Sequence, residues 1–326
     1  MATPAATTAA TAPPRWRSLY PFASNWLETS AGRLHYVDVG PDGRADELGD
    51  EQADPSDRGG DQGCVLFVHG NPTWSFHWRD AITRLRADHR CVAVDHLGCG
   101  LSDKPPRRFR LADRIEHVVR LIDELDLRAI TLVAQDWGGA IGLGATLQRP
   151  DRLRRIVLLN TGAFTPHFVP RRIAVCRTPV VGRVALQGAG LFSRAALRMT
   201  MSRRPLPADV AGGYLAPYDS WANRRAVYEF VADIPTSPRH PTWQTLAEIE
   251  QRLPTLAGTP SLLVWGMKDW CFDPSCLERF RQVWPDARAV ELADAGHWVM
   301  EDATDDVLQA IGDFFVATEQ PAEAPA

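Results

Sequence analysis

A carboxylate held where a strand turns sharply into a helix can serve as a nucleophile, and the residues around Asp136 predict such a place. The stretch ITLVAQDWGGAIG, residues 130–142, begins with an apolar run, Ile130 to Ala134, that reads as a strand buried on both faces. From Gly138 onward, small and apolar residues read as a helix packed closely on a sheet. Ala134 and Gly138 lie two residues either side of Asp136, where bulky side chains would clash as strand turns into helix. Taken alone, an Asp before a helix is an ordinary N-cap. As a nucleophile it favours saturated carbon, because attack on an acyl group would give an anhydride. Carbon–halogen bonds, epoxides and strained lactones are the targets.

Two further stretches complete a set. An apolar run at 261–265 leads into GMKD, residues 266–269, and another at 288–292 leads into DAGHWVMED, residues 294–302. Asp269 and His297 therefore stand just past the carboxyl ends of strands, where open α/β sheets bind ligands. Nucleophile, acid and His follow in the order Asp136, Asp269, His297. Asp273 is a rival for the acid role, further along its loop. HGNP, residues 69–72, follows the buried run Cys64 to Val68. The backbone N–H groups of Asn71 and Trp137 are placed to hold an oxyanion, and their side chains supply donors for a leaving anion. Simple packing is the plainer role for Trp137.

The whole chain sets the frame for these residues. It has 326 residues, 45% hydrophobic and 23% charged, with formal net charge −4, ordinary for a globular protein. No basic stripe with interleaved aromatics points to nucleic acid. The cysteines at 64, 91, 99, 176, 271 and 276 show no zinc-ligand spacing and read as free thiols, which fits a cytoplasmic protein. No apolar stretch reaches the ~18 residues that read as a membrane span. No metal or organic cofactor is implied.

Alternation of strands and helices predicts a mostly parallel, doubly wound α/β sheet. Its opening is a hairpin, Trp26 to Thr29 and Arg33 to Val39. The expected organisation is a disordered tail over 1–20, a core over 21–163 and 254–318, a helical cap over 164–253 inserted after the sixth strand, and a disordered end over 319–326. The acidic, Gly-rich segment 40–63 reads as a solvated loop, of which residues 41–62 can be deleted at little cost.

Five motifs in order, HGNPTWSFHWR (69–79), DHLGCGLSDKP (95–105), QDWGGAIG (135–142), GMKD and DAGHWVMED, resemble the haloalkane dehalogenase branch of the α/β-hydrolases. The resemblance covers about residues 20–318. It implies an α/β-hydrolase fold, Asp136, His297 and Asp269 as catalytic residues, and an Asn71–Trp137 clamp for halide or carboxylate. A different subgroup has Glu after the sixth strand, where this chain has Asn160. Within the cap, residues 203–235 together with LNTGAF, 159–164, resemble the β-lactone decarboxylases of bacterial long-chain olefin synthesis. That likeness implies a small hydrophobic substrate, a cis-3,4-dialkyl β-lactone giving a cis-olefin and carbon dioxide, and assembly with other enzymes of that synthesis. Haloalkane hydrolysis is the alternative. Tyr214 and Tyr218 keep an epoxide hydrolase in view, and a non-catalytic scaffold is the reading from another class. Asp219-Ser220 reads as a helix cap and Trp221 as core, so no cap residue carries a chemical role.

Overall fold

The computed structural model describes residues 14–41, 63–167 and 169–319. An eight-stranded sheet has the order β1-β2-β4-β3-β5-β6-β7-β8. The antiparallel hairpin β1 (Asn25–Thr29) and β2 (Gly32–Val39) pairs antiparallel with β4, and all remaining pairs are parallel. In chain order there follow β3 (Cys64–Val68), α1 (Arg79–Leu85), β4 (Arg90–Val94), α2 (Leu111–Glu124), β5 (Ile130–Asp136), α3 (Trp137–Thr146) and β6 (Leu153–Thr161). The expected strands are present, displaced by a residue or two at their ends.

β3, β5 and β7 (Ser261–Gly266) are buried at every position. Their continuous apolar runs demand cover on both faces of the sheet. Helices supply it: α2 packs with α3, and α1 with α12 (Thr304–Glu319).

Between β6 and β7 the described residues form only helices. These are α4 (Arg171–Cys176), α5 (Val181–Arg183), α6 (Leu191–Met199), α7 (Ala208–Leu215), α8 (Arg225–Ala232) and α9 (Pro241–Arg252), with a π-turn at Val184–Gly188. After β7 come α10 (Pro274–Val283), β8 (Arg288–Leu292) and α11 (Val299–Asp302). Ile173, Leu186 and Val231 form an apolar cluster of their own, apart from the main core.

Three expectations need correction or limits. The expected disordered tail ends too late, since Arg15–Leu19 form a 3-10 turn. Trp16 sets its ring edge against Trp74 and Phe76, and Tyr20 is buried, so aromatic burial pins this piece. Trp221 is not core: it is 45% exposed. At the far end α12 takes in Glu319, the first residue of the expected terminal tail. The rest of both tails, and the acidic loop over 42–62, lie outside the described residues.

Candidate active site

Asp136 ends β5 with φ +54° and ψ −130°, a conformation that non-glycine residues rarely adopt. Two glycines permit this turn. A Cβ on Gly138 would lie 2.0 Å from the Val68 carbonyl oxygen, and one on Gly70 would lie 2.1 Å from the Asp136 carboxylate. The Thr161 hydroxyl donates to the Asp136 carbonyl and braces the turn from β6.

The Asp136 carboxylate is divided between two partners. Its Oδ1 accepts the Asn71 backbone N–H at 2.6 Å. Its Oδ2 lies 3.5 Å from His297 Nε2. One oxygen is thus fixed by backbone, and the other faces the His and the cavity.

Behind His297, its Nδ1 lies 2.7 Å from Asp269 Oδ2. Asp269 is itself held twice. Cys271 N–H donates to Oδ1 at 2.6 Å, and the Asn160 amide donates to Oδ2 at 3.0 Å. Asn160 also donates to the Gly266 carbonyl and accepts from the Gly266 N–H, so it locks the exit of β7. Asp273, the rival acid, instead caps α10 by accepting the Ser275 N–H at 2.9 Å.

Burial by itself would lower the His297 pKa. The Asp269 charge, then the hydrogen bonds and charge of Asp136 and Asp269, outweigh it and carry the group up to about 10. The resting site therefore holds an imidazolium between two carboxylates at neutral pH. Alkylation of Asp136 would remove one of those charges and bring the imidazole closer to acting as a base.

The loop bearing His297 is anchored on all sides. The Gln135 amide donates to the His297 carbonyl, and the Gln135 carbonyl contacts His77. His77 is pushed down to about 4, chiefly by burial, and is neutral. Arg79 forms a two-pronged pair with Glu301, Nη2 to Oε2 at 2.8 Å, and both side chains are buried. The Asp302 carboxylate accepts Gly296 N–H at 2.7 Å and the Ser202 and Arg203 N–H groups at 2.8 and 2.9 Å. That ties the His loop to the linker between α6 and α7.

A cavity of about 450 Å³ opens over Asp136, with Asn71, Trp137 and His297 at its base. Its walls are Phe164, Ile173, Leu186, Phe192, Val231 and Leu246, with few polar groups. In the Asn71 side chain, Nδ2 donates to the Val227 carbonyl of α8 at 3.1 Å, leaving its second N–H for a ligand, while Oδ1 has no partner. Six free thiols are present among the described residues, and Cys176, Cys271 and Cys276 line the cavity. No group of His, Cys, Asp or Glu among the described residues has metal-site geometry.

Asp136, His297, Asp269, Asn71 and Trp137 are brought together. Tyr214 and Tyr218 are not, which corrects the expectation that they keep epoxide opening in view. The Tyr214 hydroxyl donates to Glu301 at 2.6 Å and meets His77, and the Tyr218 hydroxyl donates to the Thr73 carbonyl. Both are buried and neither lines the cavity. Sequence reading missed the roles of Gln135, Thr161 and Asn160. Gln135, immediately before Asp136, carried the available signal: a polar residue ending an apolar strand needs a partner.

Comparison with known proteins agrees with this geometry. Residues 63–177 and 211–304 match the family model described as alpha/beta hydrolase fold. Over 309 residues the chain is 38% identical to cis-3-alkyl-4-alkyloxetan-2-one decarboxylase of Shewanella oneidensis, covering 93% of this chain and 91% of that protein. It is 35% identical to haloalkane dehalogenase 2 of Mycobacterium bovis, covering 90% and 95%. The crystal structure of haloalkane dehalogenase DbeA from Bradyrhizobium elkani superposes with a TM-score of 0.77 at 24% identity, covering 91% of this chain and 99% of that one.

Proposed function

The chain belongs to the α/β-hydrolase fold family, and on that premise we propose that it decarboxylates cis-3,4-dialkyl β-lactones to cis-olefins. The carrying observation is the cavity: about 450 Å³ of mostly apolar space over a carboxylate nucleophile, with N–H donors beside it. A short haloalkane would leave most of that space empty, whereas two long alkyl arms would fill it. The likeness to the Shewanella oneidensis decarboxylase supports the same reading. Helices α4–α9 act as a cap over the site.

Asp136, His297 and Asp269 are proposed as the catalytic residues. Asp136 Oδ2 attacks the ring carbon bearing oxygen, that C–O bond breaks, and the electron pair leaves on the new carboxylate. Asn71 and Trp137 hold that carboxylate. Next the bond to the carboxylate carbon breaks, its electron pair forms the C=C bond, and Asp136 departs with its own C–O pair as carbon dioxide leaves. Inversion followed by anti loss turns a cis lactone into a cis olefin. His297, as imidazolium, steadies Asp136 when its charge returns, and Asp269 orients the ring. No water is consumed.

A second reading, haloalkane hydrolysis, is favoured by one observation: His297 lies beside Asp136 Oδ2, as water attack on an alkyl ester requires. The test is the ratio of kcat/KM for a long-chain cis-β-lactone and a bromoalkane, following olefin by gas chromatography and bromide by ion chromatography. The lactone should be favoured by at least ~100-fold. Fast bromide release with no olefin from any lactone would overturn the proposal. Cytoplasmic location and assembly with other olefin-forming enzymes belong to the same proposal, and co-purification from cells tests the latter.

A further inference from the structure

The outer face of α4–α6 differs in chemistry from the rest of the chain. Residues 152–208 contain no Asp or Glu, although the whole chain has 40 acidic residues to 36 Lys and Arg. Arg171, Arg172, Arg177, Arg183, Arg194 and Arg198 all lie in α4–α6 or their links, and no ion pair with a carboxylate is formed by any of them among the described residues; Arg183 donates to the Gln187 side chain at 3.0 Å. Arg203, just beyond, is paired with Asp294 and Asp306, so it is excluded. Nine large hydrophobic side chains stand exposed among the described residues, and seven of them fall between Val175 and Trp221. Val175, Val180, Val181, Val184 and Leu191 are each 54–73% exposed.

A run of exposed aliphatic side chains interspersed with arginines that have no carboxylate, two of them set over Trp221 and Trp270, is a surface suited to an anionic partner. The same helices have a second side: Ile173, Leu186 and Phe192 line the cavity. Leu191 and Met199 are both exposed and cavity-lining, which places a mouth of the cavity at this face.

We infer that this face docks on the surface of an anionic lipid bilayer, and that substrate enters the cavity from the lipid past Leu191 and Met199. The valines enter the boundary between headgroups and acyl chains, and the arginines pair with lipid phosphates. Trp221, with Arg183 5.9 Å over its ring, adds an aromatic suited to that boundary. Docking is peripheral, since no helix among the described residues is long and apolar enough to cross a membrane. A second copy fits less well, because a two-fold contact would set six arginines against six. Substrate entry rests on the lactone reading, but docking does not.

The test is co-sedimentation of the full chain with vesicles of phosphatidylcholine alone and of phosphatidylcholine mixed equally with phosphatidylglycerol. Binding is expected to the anionic vesicles only, and ~0.5 M salt should release it. The variants V180D/V181D and R183Q/R194Q/R198Q alter residues outside the cavity lining. Each should weaken vesicle binding by at least ~10-fold with an unchanged melting temperature. Turnover of lactone embedded in vesicles should fall in parallel, while turnover of the same lactone in detergent micelles stays as in the wild type. Absent binding, equal binding to neutral vesicles, or binding insensitive to both variants would overturn the inference. So would a dimer that light scattering shows to come apart in these variants. If micellar lactone is not turned over either, the lactone reading fails, and co-sedimentation still decides docking.

Discussion

At Asp136 the chain is held from several sides: Asn71 N–H on its carboxylate, the Thr161 hydroxyl on its carbonyl, and Val68 backbone against Gly138. Over residues 171–199 the helices are short, and the fully buried members of their own apolar cluster are Ile173, Leu186 and Val231, with partly buried side chains such as Phe192 and Trp270 around them. The first region sits on strands buried at every position, the second on helices with valines facing outward. Rigid support suits a site whose attacking atom must be placed within a fraction of an ångström. Sparse packing suits a cover that must admit a large substrate. Under the proposed function, chemistry and substrate choice fall to different parts of the molecule.

If that division holds, the largest effects come from the strand ends. Asp136→Asn should lower kcat by ~10⁴-fold or more, because an amide is a poor nucleophile. Asn tolerates the positive φ that Asp136 adopts, so the melting temperature should barely move. A large loss of stability would show that the carboxylate holds the turn together.

His297→Ala separates the two chemistries carried by one nucleophile. With a bromoalkane the variant should accumulate an alkyl ester on Asp136, seen as added mass on the intact protein. With a β-lactone no ester should persist, because loss of carbon dioxide needs no water. Repeated halide release at the wild-type rate would break the assignment of His297.

Asp269→Asn removes the charge that most raises the His297 pKa. In wild type, kcat/KM should fall as pH rises through about 10, where the imidazolium is lost. The variant should show that fall at lower pH, and kcat should drop by ~10²–10⁴-fold. Stability follows the same sign. A histidine raised in the folded state contributes fully below its unfolded value, and the contribution is lost as pH climbs to about 10. Melting temperatures across pH 6 to 10 in wild type and His297→Gln measure it; an equal slope in both would refute the raised value.

Glu301→Ala takes the two-pronged contact from buried Arg79, leaving it only exposed Asp80 and the Phe76 carbonyl, and should cost ~2–3 kcal/mol in urea unfolding. It also frees the His loop, so kcat should fall further than KM rises. The smallest effect belongs to the cap. Ile173→Phe narrows the cavity beside Leu186 and Val231 and should lower kcat/KM for long-chain lactones by ~10-fold. Turnover of a short bromoalkane should be unchanged. If both fall equally, the cap contributes to the chemistry and the division between the regions fails.

Much of the strand-end region was legible because its signals are local. Small residues at 134 and 138 around Asp136, and apolar runs ending just before Asp269 and His297, each state a backbone requirement within a few positions. A mostly parallel sheet followed from the alternation of elements, but the placing of β4 between β2 and β3 did not. Cap helices were legible as helices, but not the direction in which their side chains point.

What the sequence determined by itself was the backbone plan: which segments are strands, where the sharp turn falls, and which carboxylate it presents. These depend on period, residue size and neighbours in the chain. Tertiary structure alone decided the use of Asp273 as the cap of α10, the withdrawal of Tyr214 and Tyr218 from the cavity, and the exposure of Trp221. It also decided the docking of Trp16 and the bond from Asn160 to Asp269. In each of these cases a side chain can rotate towards several partners, and the partner chosen lies far away in sequence. Asn160 and Asp269, 109 positions apart, meet because β6 and β7 are neighbours in the sheet. Register and packing, which no local pattern encodes, set that distance.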